Sequence, residues 1–575
     1  MLALLKFLKP YRLSVTVVLV LMFFQALTEL YLPTLMSDIV DIGIVRGNTG
    51  YIMRTGGLML LVTAFGTVCA IVAGFFSARS AMGFGKILRD QLFAHVERFS
   101  LHEFDRFGTA SLVTRTTNDI TQIQTVMMMV LRLFITAPIM AIGGIIMAVS
   151  KDAELSWVIV VAVPVLTLAV FLVAGRSVPL FKVIQLKLDR LNQVLREGLT
   201  GIRVIRAFNR VEHERRRFRD ANADLTATTI RVNKIMASLM PIMMLVMNFT
   251  TIAIIWFGGL RIDAGRMQVG SLMAFLQYAM QIMFSMLMVS MMFVLLPRAA
   301  ASAARIREVL AQAPEIHDPE QPKSTGPTRG FLEFQDVTFS YPGAEEPAIC
   351  NISFSARPGE ITAIIGGTGS GKSTLINLIP RFYDIDSGRI LVDGVDLREL
   401  SQAELRAKIG LVPQKAVLFS GTIADNIRYG KADASDAAVR HAAAVAQASE
   451  FIAQMKDGYD ALIAQGGTNV SGGQKQRLAI ARALVRQPEI FIFDDSFSAL
   501  DFKTDARLRA ALKQEIAAAT VIIVAQRVST VMDADRIIVL DEGQIAGLGT
   551  HRELLKDCAV YREIVASQLS EEESA

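Results

Sequence analysis

Gly366, Gly367, Thr368, Gly369, Ser370, Gly371, Lys372, Ser373 and Thr374 read GGTGSGKST. Glycines at that density let successive backbone N–H groups turn inward around an anion. The lysine and hydroxyls that follow add a positive charge and a metal ligand. This is a grip for a nucleotide's phosphates: Lys372 reaches the β- and γ-phosphates and Ser373 offers its hydroxyl to Mg²⁺. Acids come from a second stretch, IFIFDDSFSALD from Ile490 to Asp501. Asp494 is placed there to hold Mg²⁺ through its water shell. Ser471, Gly472, Gly473 and Gln474 begin a helical run, and a helix start is a further anion site. Tyr341, in FSYPG ahead of the loop, is a candidate to stack on adenine.

These residues need elements to hold them. The loop follows the apolar strand Ile361–Ile365 and precedes the helical run TLINLIP, the context a phosphate loop requires. The four apolar residues before Asp494 read as a buried parallel strand. From Phe331 to the end, strand and helix patterns alternate, as in an α/β domain. Residues 311–330, rich in Pro, Gly and polar residues, read as a linker. The first 310 residues are of another kind. The chain is 52% hydrophobic with a mean hydropathy of +0.41, too apolar for a soluble protein of 575 residues. Six runs are long enough to cross a bilayer: Leu13–Met36, Thr55–Ser77, Leu133–Ser150, Ser156–Gly175, Ile235–Leu260 and Met267–Pro297. The first is too long for a signal peptide and has no small-residue cleavage site after it. Pro138, Pro164 and Pro241 are expected to kink their helices without ending them. A helix is expected over Arg298–Gln312.

Lys and Arg concentrate before the first, third and fifth spans, which puts both termini and both long connections in the cytoplasm. Arg132, at the edge of the third span, is placed to snorkel. The long connections read as helices continuing below the membrane and returning. The net charge of +5 is largely this bias, and no nucleic-acid partner is expected. ERRRFRD at Glu214–Asp220 reads as a solvated helix face or a contact for anionic lipid. Cys69, Cys350 and Cys558 are scattered, without metal-ligand or disulfide spacing.

In their order along the chain, Tyr341, Gly366–Thr374, Gln414 in LVPQ, Ser471–Gln474, Asp494 and Ser498–Asp501 resemble the motifs of ATP-binding cassette exporter half-transporters. FDRFGTASLVTRTTND and EGLTGIRVIRAFNR are similar to that family's coupling-helix regions. The resemblance implies a six-helix all-α transmembrane domain of exporter type, residues 1–310, fused to a cytosolic α/β nucleotide-binding domain, residues 331–575. It implies ATP and Mg²⁺ as cofactors, the latter among Ser373, Gln414 and Asp494, in a bacterial plasma membrane. Gln414, Asp495, Asp501 and Gln526 stand at positions the family uses for hydrolysis. It further implies a second half-transporter, each ATP lying between one chain's phosphate loop and the other's SGGQ.

Three departures gather around hydrolysis. The acid after Asp494, usually Glu in the family, is Asp495. The switch histidine is replaced by Gln526, which cannot carry a proton at neutral pH. Gln465 stands at or near a glutamate that normally precedes the signature. The expectation is a heterodimer in which this chain's own site grips ATP and its SGGQ serves a competent partner site. A homodimeric exporter, a nucleotide-sensing regulatory subunit, and an importer of exporter architecture stay open. Hydrophobic or amphipathic cargo, drugs or lipids, fits the methionines of the fifth and sixth spans: Met240, Met243, Met244, Met247, Met280, Met283, Met286, Met288, Met291 and Met292. Flexible thioethers re-pack around varied ligands, and equally pack helices. Glu29, the sole acid of the first span, either attracts cationic cargo or bonds a neighbouring helix.

Overall fold

The computed structural model describes residues 2–325 and 330–568. The side chains of Met291 and Met292 lie outside the described residues. By contacts the chain forms two units, residues 1–97 with 109–312, and residues 98–108 with 313–575. Chain order alone groups Arg98–Gly108 with the apolar helices; its contacts group it with the second unit.

The first unit is helical: α1 Arg12–Asp38, α2 Thr49–Val96, α4 Thr109–Thr114, α5 Ile120–Lys151, α6 Trp157–Thr200, α7 Ile202–Ala207, α8 Val211–Ala237, α9 Leu239–Asp263 and α10 Val269–Ala311. The short helix α3, Leu101–Phe107, belongs to the second unit. Among the described residues, six helical stretches are long and apolar enough to span a membrane. Several run far past the apolar runs, α2 for 48 residues and α6 for 44, so the long connections are indeed helical extensions. Pro138 and Pro164 lie inside unbroken α5 and α6. Pro241 lies in the first turn of α9, which a single turn residue, Ser238, separates from α8, and the span runs on through both from Val211 to Asp263. The helix expected over Arg298–Gln312 is the last part of α10, which runs on to Ala311. Ala299, Ala303, Ile306 and Val309 make a buried stripe at helical spacing that keeps it going.

In this unit α10 packs on α1 and α5 through Phe275, Tyr278 and Ile282 against Ala26, Leu30 and Met140. Met243 and Met283 are buried against Leu166, as helix packing. Met240, Met244, Met280 and Met288 are exposed. Arg217, in the basic cluster of α8, bonds Glu197 at 2.8 Å and Glu214 at 2.9 Å, and Arg215 of the same cluster bonds Glu212.

The second unit carries β1 Leu332–Phe339, β2 Ile349–Ala356, β3 Ile361–Gly366, β4 Ser387–Val392, β5 Val395–Asp396, β6 Ile409–Val412, β7 Gly421–Thr422, β8 Leu462–Ile463, β9 Ile490–Asp494, β10 Thr520–Val524, β11 Arg536–Asp541 and β12 Gln544–Gly549. An antiparallel sheet runs β2-β1-β4-β5, and β7 pairs with β8. The larger sheet runs β12-β11-β3-β10-β9-β6, parallel except for β12. Its strands are apolar on both faces because both are covered. Ile365, Phe491, Phe493, Val521 and Ile523 enter one core; Ile364, Ile490, Ile492, Ile522 and Val524 enter the other. Parallel pairing aligns strand ends, with Val524 opposite both Ile364 and Asp494. The turns leaving β3, β10, β9 and β6 therefore emerge side by side at one edge, where α/β sheets bind ligands.

Candidate nucleotide site

The phosphate loop is the turn from β3 into helix α11, Lys372–Leu378. Gly369 has φ +85° and Gly371 φ +95°, conformations that side-chain-bearing residues rarely adopt. A Cβ on Gly371 would also sit 2.9 Å from the carbonyl of Ala348. Gly367, Thr368 and Gly369 are exposed, Ser370 and Thr374 are buried, and Gly366 ends the strand. Lys372 arches back to donate its Nζ to the carbonyls of Gly366 and Gly367, at 2.9 and 2.5 Å. Burial pushes the Lys372 amine down, against the opposing pull of Asp495 and Asp494. Ser373 is exposed at the start of α11.

Tyr341 sits edge-on to Tyr383, centroids 5.4 Å apart, and its hydroxyl lies 3.0 Å from Thr374 Oγ1. The bond ties the aromatic to the loop. Tyr383 was not singled out in the sequence; a lone aromatic in RFYD carries no signal of its own.

Asp494 ends β9 half-buried, and burial, then the Asp495 charge, pushes its carboxyl up, with Lys372 pulling the other way. Bound Mg²⁺ would relieve that strain, and a carboxylate, the Ser373 hydroxyl and the Gln414 amide oxygen are the hard oxygen donors Mg²⁺ takes. Asp495 has a left-handed backbone, φ 43°, tolerable for aspartate. Its N–H donates to Val524 O at 2.9 Å, and its carbonyl accepts Ser498 Oγ at 2.9 Å. Its carboxylate is engaged from two sides. Gln414 Nε2 donates to Asp495 Oδ2 at 3.1 Å and Gln526 Nε2 to the same oxygen at 3.0 Å. The structure thus brings together Gln414 after β6, Asp495 after β9 and Gln526 after β10. Asp501 is used differently: its carboxylate accepts the Thr504 N–H at 2.9 Å and caps the helix Phe502–Glu515. Those contacts with Thr504 hold its carboxyl below the usual range.

Ser471 caps the helix Gly472–Arg486 in a reciprocal box with Gln474: Gln474 N–H to Ser471 Oγ, 3.3 Å, and Ser471 N–H to Gln474 Oε1, 2.8 Å. A Cβ on Gly472 would meet nothing within 4 Å, whereas one on Gly473 would lie 3.1 Å from the Ala499 carbonyl. Arg477 braces this helix by donating to the Gln447 carbonyl at 2.7 Å and stacking over Phe451. Arg482 binds the Asn426 carbonyl and side chain, both at 2.9 Å, and lies over Phe419 and Tyr429. Neither arginine was singled out, because their partners are distant in sequence. Gln465 opens a short 3-10 turn, Gln465–Gly467, ahead of the signature.

Comparison with known proteins agrees with this arrangement. The model of the ABC transporter transmembrane region matches residues 15–286, and that of the ABC transporter family matches residues 349–498. An uncharacterized ABC transporter ATP-binding protein of Mycobacterium tuberculosis is 46% identical over 97% of each chain. The ATP-dependent lipid A-core flippase of Chromobacterium violaceum is 33% identical over 95% of this chain and 93% of its own. The structure of a bacterial Atm1-family ABC exporter with ATP bound superposes with a TM-score of 0.81 at 27% identity, covering 97% of this chain and 99% of that one. Six membrane helices joined in one chain to a phosphate-gripping α/β domain make this protein a half-transporter of the ATP-binding cassette exporter family.

Proposed function

We propose that the chain is one subunit of an ATP-driven exporter of hydrophobic or amphipathic compounds, lipids among them, and that its own ATP site grips more than it cleaves. A single observation carries the second part. Asp495 Oδ2 already receives the side-chain amides of both Gln414 and Gln526. In the family a longer acid here polarises the attacking water; this carboxylate is one methylene shorter and drawn to its two neighbours. A displacement of about an ångström costs on the order of 10²-fold in rate, roughly 2.7 kcal/mol. Gln526 binds the acid but supplies no proton.

On this reading Gly366–Thr374 and Tyr341 hold ATP, Ser373, Gln414 and Asp494 surround Mg²⁺, and Asp501 shapes the turn beside the acid. Ser471–Gln474 serve the ATP of a different half-transporter with a competent Glu/His site. ATP held here acts as a clasp, stabilising the closed dimer by mass action without being cleaved. The cargo class draws on the lipid A-core flippase likeness and on exposed apolar residues of the membrane helices. The test is ATPase activity of this chain purified alone in lipid: little turnover is expected. Turnover near that of an assembled pair would show a homodimer with working aspartate chemistry.

A further inference from the structure

Glu29 is the only charged residue of α1 between Leu13 and Met36. Its neighbours have turned their donors inward and left acceptors unmet. Gln25, one turn earlier, donates Nε2 to Glu29 Oε1 at 2.9 Å. Gln281, on α10, donates Nε2 to the Glu29 main-chain carbonyl at 3.2 Å. Both amide oxygens, Gln25 Oε1 and Gln281 Oε1, are buried without a hydrogen-bond donor among the described residues. Helix-to-helix bonding alone does not account for this, since amides used as glue satisfy their carbonyls as well. Unmet acceptors beside a carboxylate in an apolar span carry a desolvation cost that a ligand with donors would remove.

We propose that Glu29, Gln25 and Gln281 form an intramembrane binding site for a primary ammonium group. Such a group has three N–H donors and no acceptor, which suits one carboxylate and two amide carbonyls. Its charge pairs with Glu29 through charge-assisted hydrogen bonds. An alcohol lacks the charge, and a quaternary ammonium lacks the donors. α1 also borders an apolar cleft of about 540 Å³, lined by Phe24, Leu27, Tyr31, Val62, Ile146 and Met147. The ligand is therefore an amphipathic amine, either free or as an aminophospholipid headgroup. Glu29 lies about 25 Å along the helix axis from Arg12 and about 10 Å from Met36, within the first membrane-spanning stretch. The proposal depends on the exporter reading only for the direction in which a bound amine would travel.

The test is the thermal midpoint of the assembled transporter in phosphatidylcholine nanodiscs, titrated with dodecylamine, dodecanol or dodecyltrimethylammonium. Dodecylamine should raise the midpoint more than either control. Glu29→Gln should raise its half-saturating concentration about tenfold or more, and Gln281→Leu severalfold. The increment from Mg·ATP, retained in both variants, shows that they are folded. Lys372→Ala should need about tenfold more Mg·ATP for that increment yet keep the dodecylamine response, which separates this site from the ATP-driven reading. Repeating the titration in phosphatidylethanolamine nanodiscs assigns the source. A weaker dodecylamine response there means the headgroup occupies the site, and an unchanged one means a free amine does. An equal response to the quaternary compound, or a dodecylamine response unaltered by Glu29→Gln and Gln281→Leu, overturns the proposal.

Discussion

Two turns leave the same edge of the six-stranded sheet, one after β3 and one after β9, with β10 alone between their strands. The first, the phosphate loop, is made of main chain: Gly369 and Gly371 take positive φ, and the loop's N–H groups need no side chain to face an anion. The second, around Asp494 and Asp495, is made of side chains. There a positive φ falls on a non-glycine residue, Asp495, and the outcome rests on how far its carboxylate reaches and what holds it. A grip built from backbone survives side-chain drift. On the proposed reading, a water-activating acid loses rate with a methylene. One chain can thus keep the binding half of an ATPase site while the hydrolytic half weakens.

The largest expected effect lies on neither turn but at the signature. Gly473→Glu puts a carboxylate where the Ala499 carbonyl is already 3.1 Å from a bare Cβ. On the proposed reading it also sets negative charge against the partner's γ-phosphate. Turnover of the assembled pair should fall about 10²–10³-fold. Lys372→Ala should cost far less turnover, and equal losses in the two would break the asymmetry drawn here.

Next comes the acid itself. In a pair whose partner glutamate is changed to glutamine, single-turnover cleavage at this chain's site should run about 10²-fold below the intact complex. Asp495→Glu should raise that rate modestly. Asp495→Glu with Gln526→His should raise it further, since the first restores reach and the second a titratable group. Full-rate cleavage with Asp495 unmodified would mean the side-chain turn is as sound as the backbone one.

A smaller effect is expected at Lys372. Equilibrium ATP binding to Lys372→Ala should weaken about tenfold, one charge-assisted contact's worth, because the backbone cradle remains. Loss of all detectable binding would show that the loop's N–H groups contribute less than argued.

The smallest effect is a pH dependence. Burial, then Asp495, raises the folded-state pKa of Asp494 above that of an ordinary aspartate. A raised folded pKa gives stability that is present below the unfolded value and lost as pH rises through the folded one. The nucleotide-free protein should therefore gain a little stability on mild acidification. Asp494→Asn should remove that dependence and raise the midpoint at neutral pH by about 1–3 °C, while abolishing the increment from Mg·ATP. Thermal scans with and without nucleotide check both signs.

The phosphate loop, the signature cap and the number of spans were legible because each is local. Glycine spacing, a Ser-to-Gln capping box and unbroken apolar runs carry their meaning within a few residues. The helix over Arg298–Gln312 was legible too, but not that it continues the sixth span: composition changes after Pro297 while helical spacing does not, and Ala299, Ala303, Ile306 and Val309 keep one face buried. Pro241 was expected to kink its helix without ending it, and α8 and α9 meet across one turn residue, Ser238, within a single span.

By itself the sequence determined that the chain has a membrane half and a phosphate-gripping half, since hydrophobic run length and glycine spacing need no distant partner to be read. It also determined which acid follows Asp494. Only the tertiary structure decided that Gln414, Asp495 and Gln526 meet at one carboxylate oxygen, because three separate strands must align their ends before those side chains come within 3.1 Å. The same holds for Glu29 and Gln281, on the first and last long helices of the membrane unit. Hydrogen bonds across hundreds of residues depend on helix register and sheet order, which side-chain packing fixes and no local pattern records.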